Sequence, residues 1–448
     1  MDRTLFRELE RLLLTATAAV ALLVTVTCSS QGRLSTPQTT SKSAPAAASV
    51  PMAPAASASA RPLASAAEPA APAPAPAAPA EPEALSLPRF YSALDELQAG
   101  QRSEHVRVLW LGDSHTAADY MSGSVRRALQ ERFGAGGPGY VRVGVGMYRH
   151  GAAKVSRDGP WRLEPTPPPR RSRQDDGVFG LGGLRALADT SALAHIELRE
   201  NALKGGARWQ VLYALDANAK LKIKAGQNQE LVTPDSPAQT VPGSSIRRIA
   251  FETGVRDGLY LSAQAGRAKL FGVIVEGVEP GVVLDTLGID GARVATPLAW
   301  DRDAFVAEVA ARKPDLAVMA YGTNEAFDGG RVDPYLAQFS ELVARLRRGQ
   351  PQIECVIVAP PDAGTPDGGS PARLVDIERV QRDAARQLGC GFFSLRLFMG
   401  GDGSYWRWLR EDPPLARPDR FHFTPRGYEK MGQALAQAVL EAYERAAR

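Results

Sequence analysis

The chain has 448 residues, 44% of them apolar and 23% charged, with a formal net charge of +4 and three cysteines. That length suits two or three domains, and a small positive charge without a basic stripe argues against nucleic acid as a partner. No His, Cys, Asp or Glu cluster has metal-ligand spacing and no G-x-x-x-x-G-K-[ST] loop is present, so neither a metal nor another cofactor is expected.

Residues 12–27 are uncharged and apolar, of signal-peptide length and short of the ~20 residues a membrane-spanning helix needs. Cys28 follows directly, as the lipidated residue of a lipoprotein would. Thr25 and Thr27 stand where such signals usually have a leucine and a small residue, and Asp2, Glu8 and Glu10 mix with the preceding arginines. Residues 1–28 are thus a signal peptide, a lipoprotein signal or an uncleaved anchor, and each implies export. Residues 29–87 are dominated by Ala, Pro and Ser, too poor in large apolar side chains to offset the entropy of ordering. They predict an extended, disordered tether that at ~3.1 Å per residue spans more than ~100 Å, enough to cross from a membrane into a cell-wall layer.

The globular part begins at about residue 88. Val106–Leu111 reads as a buried parallel strand ended by the turn Gly112-Asp113-Ser114, and Thr116–Phe133 carries the apolar spacing of a helix in Ala118, Met121, Val125, Leu129 and Phe133. Ser114 therefore lies on a strand-to-helix turn, the end of an α/β sheet where ligands bind. An ordinary capped turn is the simpler account of these residues alone. His115 is expected to pack behind the serine.

From 151 to 280 the pattern changes to short alternating runs, among them Ala194–Arg199, Trp209–Tyr213, Ala219–Lys224, Ile249–Glu252, Gly258–Ser262 and Ala268–Val275. Period-two alternation at this spacing predicts an inserted β-sandwich. Trp161, Trp209 and Tyr213 are either core or a platform for sugar rings. Arg170, Arg171 and Arg173 beside Asp175 and Asp176 read as a solvated loop or a contact for anionic glycan.

The α/β pattern resumes over 281–448. Gly281–Ala292 runs from a strand into a loop carrying Gly288 and Gly291, either of which has a backbone N–H free of a Cβ. Leu316–Tyr321 is another strand, ending in Gly322-Thr323-Asn324, so that Asn324 stands at the same sheet edge as Ser114 and its amide can serve an oxyanion or its own turn. Cys355 and Cys390 fall on strands that are candidate neighbours, as a disulfide or as two buried thiols. Asp419 and His422, three residues apart in a turn, can face one way before the Thr424-Pro425 helix start. A serine, a histidine and an aspartate are the groups an acyl transfer needs: a nucleophile, its base, and an acceptor that orients the base.

With Gly-Asp-Ser at 112–114, Gly291, Gly-x-Asn at 322–324 and Asp-x-x-His at 419–422 in this order, the chain resembles the SGNH (GDSL-type) hydrolase family. The resemblance implies an α/β, flavodoxin-like three-layer sandwich with a parallel sheet, split by the inserted module into parts 88–150 and 281–448. It implies Ser114 as nucleophile, His422 as base, Asp419 as its orienting carboxylate, and Gly291, Asn324 and the Ser114 N–H as oxyanion hole. Within the family the likeness is greatest to bacterial peptidoglycan O-acetylesterases, which carry Gly-Asp-Ser-His and an inserted carbohydrate-binding-like module. Asp290 departs from their second block, which has Asn there.

The reading is thus an exported serine esterase of the cell envelope or periplasm, anchored as a lipoprotein or secreted, that deacetylates a cell-surface carbohydrate. An O-acetyltransferase on the same fold and a non-catalytic cell-wall-binding lipoprotein are the alternatives. Tyr405-Trp406-Arg407-Trp408, just ahead of Asp419, is expected to line the substrate groove.

Overall fold

The computed structural model describes residues 85–165, 176–200, 202–329 and 331–448. The signal segment, the tether up to residue 84, Cys28, and Arg170, Arg171, Arg173 and Asp175 lie outside the described residues.

Six parallel strands form the central sheet: β1 (Val106–Gly112), β2 (Ala135–Gly137), β3 (Val282–Gly288), β4 (Leu316–Ala320), β5 (Glu354–Ala359) and β6 (Gly391–Ser394). Their order is β6-β5-β4-β1-β3-β2. Without the short edge strand β2, this is the flavodoxin-like winding, in which the chain reverses direction across β1 and places its crevice at the carboxyl end between β1 and β4.

Alternation along β1 builds two cores. Val106, Val108 and Trp110 face a layer made by α1 (Pro88–Gln98), α2 (Met121–Phe133) and α6 (Pro425–Ala446). Leu109 and Leu111 face the opposite layer, made by α3 (Arg302–Arg312), α4 (Asp333–Gly349) and α5 (Ala372–Leu388). A strand covered on both faces is largely apolar, which is why β1, apart from Arg107 near its start, reads as a continuous run. The result is the three-layer sandwich expected from the sequence.

The helix expected over Thr116–Phe133 is interrupted. A single turn, Ser114–Ala117, is followed by a break, and α2 starts at Met121. Asp119 sits in the break with φ 55°, fully buried, and its carboxylate accepts from Arg126 at 2.7 and 2.9 Å, the Thr286 hydroxyl at 2.7 Å and the Gly151 N–H at 2.6 Å. That many donors converge only if the backbone turns the side chain inward, and apolar spacing carries no sign of it.

Between β2 and β3 the chain makes two antiparallel sheets. One holds Ala153–Asp158, Leu193–Leu198, Lys220–Ala225, Asn228–Val232 and Leu259–Ala265; the other Trp161–Glu164, Arg185–Asp189, Gly206–Leu215, Arg247–Gly254 and Arg267–Gly277, with Gly139–Val141 added at its side. Ile196, Leu221, Ile223 and Leu261 meet Trp209, Val211, Tyr213 and Val273 between them. All six runs named from the sequence fall on these strands, with Arg199, Ala219 and Gly258 one residue outside them. Trp209 and Tyr213 are fully buried, so they are core and not a sugar platform.

The join between module and α/β sheet is partly apolar, with Leu212, Phe271 and Ile274 in one cluster with Leu287, Ile289 and Phe305, and partly ionic. Arg312, at the end of α3, bonds Asp285 of β3 at 2.6 Å and also pairs with Glu276 in the module's last strand, which Arg107 of β1 reaches at 2.8 Å. Asp285 accepts the Tyr140 N–H at 2.8 Å as well. Burial alone would raise the Glu276 pKa, but Arg312 and Arg107 together pull it well below the usual carboxylate range. Removing one partner from such a cluster leaves buried charge uncompensated. Arg312→Ala is accordingly expected to destabilise the fold by about 3–5 kcal/mol in urea denaturation, and an unchanged midpoint would refute a structural role for the cluster.

Candidate active site

The three strand ends nearest the switch point are level. Gly112 of β1 stands opposite Gly288 of β3 and opposite Ala320 of β4. Residues two to four positions beyond those ends therefore emerge together: Ser114, Gly291 and Asn324. All three line one cavity of about 650 Å³ with His422, Asp290, Tyr120, Phe421 and Arg417.

Gly288 and Gly291, rivals in the sequence, take different parts. A Cβ on Gly288 would run into the backbone of Thr116 and Ala117, so this glycine lets the serine turn lie directly on β3. Gly291 has φ 73° and faces the cavity, and among the described residues its N–H has no hydrogen-bond partner. The Asn324 amide donates one hydrogen to the Ala292 carbonyl at 3.0 Å, which fixes its orientation and leaves the second hydrogen free. The Ser114 N–H opens a helical turn and has no preceding turn to bond.

The loop before α6 brings His422 to the serine. His422 Nε2 lies 3.0 Å from Ser114 Oγ, and His422 Nδ1 lies 3.1 Å from Asp419 Oδ2. Arg420, between them, adopts φ 74°, and this bend turns Asp419 back so that its other oxygen accepts the N–H groups of Phe421 at 3.0 Å and His422 at 2.8 Å. Burial raises the Asp419 pKa, but those two amide donors and the ring outweigh it and hold the carboxyl below its usual range. An ionised, anchored carboxylate presents His422 with Nδ1 protonated and Nε2 open to receive the serine proton. A hydroxyl so placed can attack a carbonyl while three donors receive the oxygen.

Beneath the site is a buried polar layer. His115 bonds the Tyr428 hydroxyl through Nδ1 at 3.0 Å, and its ring lies 5.7 Å from that of His422. Burial lowers its pKa to about 3, so it stays neutral beside the base. Asp113 caps the serine turn by accepting the His115 N–H at 3.0 Å.

Residues 253–430 match the model of the GDSL-like Lipase/Acylhydrolase family. The matched stretch contains Gly291, Asn324, Asp419 and His422, and Ser114 lies outside it, beyond the module. Over residues 253–430 the chain is similar to the SGNH, or GDSL-type, hydrolase family. A solved structure titled "Peptidoglycan O-acetylesterase in action, 5 min" shares its fold at 24% identity, with a TM-score of 0.66 over 80% of this chain and 96% of that one. An acetyl xylan esterase, AlAXEase, aligns at 16% identity and a TM-score of 0.28 over 36% of this chain and 81% of its own. A lipase/acylhydrolase from Enterococcus faecalis aligns at 20% identity and 0.27, over 37% and 77%. Curated protein sequences give no match.

In this α/β domain the groove walls are not the aromatics expected. Tyr405 and Trp408 are buried against Phe423, and Trp406 packs on Gly364 and donates to the Gly369 carbonyl, so none of the three lines the cavity. Trp161 is likewise away from it, bonded to the Asp158 and Leu193 carbonyls. The walls are instead Tyr120, stacked on Tyr428, and Phe327 edge-on to Phe421, with ring centroids 4.8 Å apart. Only Phe421, inside the Asp-x-x-His block, carried a sequence signal; Tyr120 and Phe327 sit in turns whose direction depends on their neighbours.

Asp113 supplies a test of the buried layer. Burial, with Glu325 nearby, pushes its pKa from 3.8 up to about 8, so the folded state holds a proton that the unfolded state releases. Stability contributed by that proton is present below about pH 4 and lost as the pH rises towards 8. Asp113→Asn keeps the capping oxygen and cannot ionise. Its melting temperature relative to wild type should climb between pH 4 and 8, and a difference that does not vary with pH would contradict the assignment.

Proposed function

We propose that this protein is an exported serine esterase that removes O-acetyl groups from a cell-surface carbohydrate, with peptidoglycan as the leading substrate. The observation that carries the reading is the linked set Ser114–His422–Asp419, at 3.0 and 3.1 Å, on the wall of a cavity shared with Gly291 and Asn324.

Ser114 Oγ attacks the acetyl carbonyl as His422 takes its proton, and the tetrahedral oxygen rests on the N–H groups of Ser114 and Gly291 and the Asn324 amide. His422 then protonates the departing sugar hydroxyl. Water, activated by the same imidazole, attacks the acetyl-enzyme and releases acetate. Asp419 remains ionised throughout and balances the charge on the ring.

Peptidoglycan as substrate is supported by the fold shared with the peptidoglycan O-acetylesterase structure and by the N-terminal sequence, which suits an envelope protein. Export is supported further by the Cys355–Cys390 disulfide between the β5 and β6 regions, a bond that persists in oxidising compartments. Lipidation at Cys28 belongs to the same proposal. The acetyltransferase alternative differs only in the second step, where a sugar hydroxyl would replace water.

The purified protein should hydrolyse a short-chain aryl acetate, and Ser114→Ala should abolish this; turnover that survives the substitution would sink the mechanism. Asn324→Ala should lower kcat by about 10²–10³, the usual cost of one oxyanion donor, and a change confined to KM would remove Asn324 from that role. Acetate release from O-acetylated peptidoglycan is expected to exceed release from acetylated xylan, and the reverse order would reassign the substrate.

A further inference from the structure

The charges around the cavity are unevenly satisfied. Arg293 is paired with Asp328 at 2.6 Å. Arg417, by contrast, is an exposed cavity-lining cation with no carboxylate within ion-pair distance among the described residues. Its backbone is held against the catalytic loop, because its N–H donates to the His422 carbonyl at 2.9 Å and Ala416 bridges to Phe423. A guanidinium on a backbone so closely tied to the base has a nearly fixed origin relative to the reacting carbonyl. Nearby, Arg149 stands over Tyr120, 3.7 Å from the ring centroid, and donates to the Ala118 carbonyl at 3.0 Å. On the oxyanion side the cavity carries Asp290, next to Gly291 and also without a cationic partner among the described residues. The cavity therefore has a direction: an anionic ligand is repelled at the Gly291 edge and attracted at the Arg417 edge.

We propose that Arg417 recognises a carboxylate of the substrate, so that the enzyme prefers acetyl esters on an acidic sugar over the same esters on a neutral one. This rests on the esterase reading above and specifies the class of glycan. The planar fork of a guanidinium matches a carboxylate through two parallel N–H bonds, a pairing that a neutral sugar cannot replace. In peptidoglycan the carboxylate can come from the lactyl group of the sugar or from its peptide stem, and both present the same chemistry to Arg417. Because Arg417 is exposed, the pairing is sensitive to salt.

The test measures acetate release by the full chain from O-acetylated N-acetylmuramic acid and from identically acetylated N-acetylglucosamine, which lacks the lactyl carboxylate. A third substrate carries the lactyl group as an amide to a short peptide with a free carboxylate. Wild type should favour an acidic substrate by roughly tenfold in kcat/KM, mostly through KM, and added salt should shrink the ratio. Arg417→Gln should bring the ratio close to one, and Arg417→Lys should restore part of it. Comparing two substrates on one variant removes any difference in folded fraction. A preference for the free lactyl sugar or for the peptide-bearing one supports the proposal and identifies the source of the carboxylate. Wild type without any preference, or Arg417→Gln retaining the wild-type ratio, overturns it. If neither sugar yields acetate the esterase reading itself fails, whereas equal release from all three refutes only recognition of charge.

Discussion

Everything at the site hangs on the parallel register of three adjacent strands, in which Gly112 stands level with Gly288 and Ala320. The chain that links these strands runs through two antiparallel sheets and several helices, yet the turns that follow them open on one cavity. Parallel pairing puts equivalent ends on one side, and the reversal of winding across β1 leaves a crevice between them. Slipping β1 by one residue would exchange its two core-facing sets and move the serine away from its partners. The requirement for close approach at Gly288 is the local expression of that register, since it seats the Ser114 turn on the neighbouring strand.

Around this frame the charges divide into a buried set that fixes structure and an exposed set that faces ligand. Arg312 with Asp285 and Glu276, and Arg126 with Asp119, are enclosed and fully paired; they hold the module and the broken helix in place. Asp113 and His115 beneath the serine are also enclosed, and burial keeps each in its neutral form near neutral pH. His422 and Asp419 remain partly exposed, which leaves the imidazole open to the cavity. Arg417 and Asp290 line the cavity without an ion-pair partner among the described residues, so its mouth, unlike its floor, is electrostatically open.

Much of the fold could be read from short patterns. The β1, β4 and β5 runs are apolar on both faces, the module strands alternate, and Thr424-Pro425 marks the start of α6. The catalytic-type residues were legible because each ends a strand or opens a helix, where a small motif has a fixed relation to backbone geometry. What failed were inferences about which way a side chain faces. Tyr405 and Trp408 are close in sequence to Asp419 but pack inward on Phe423, and the break at Asp119 is set by donors from Arg126, Thr286 and Gly151, far apart along the chain.

By itself, the sequence determined the parallel α/β core, the inserted β-rich stretch and the candidates Ser114, Asn324, Asp419 and His422, with Gly288 and Gly291 both open, because period, turn chemistry and motif spacing are local properties of a chain. Tertiary structure alone decided that Ser114 Oγ and His422 Nε2 lie 3.0 Å apart, that Gly291 and not Gly288 faces the cavity, and that Cys355 reaches Cys390. It also decided that, among the described residues, Arg417 is left without a carboxylate while Arg293 has one. Distances between groups remote in sequence follow from strand order and packing, and those depend on every core residue at once.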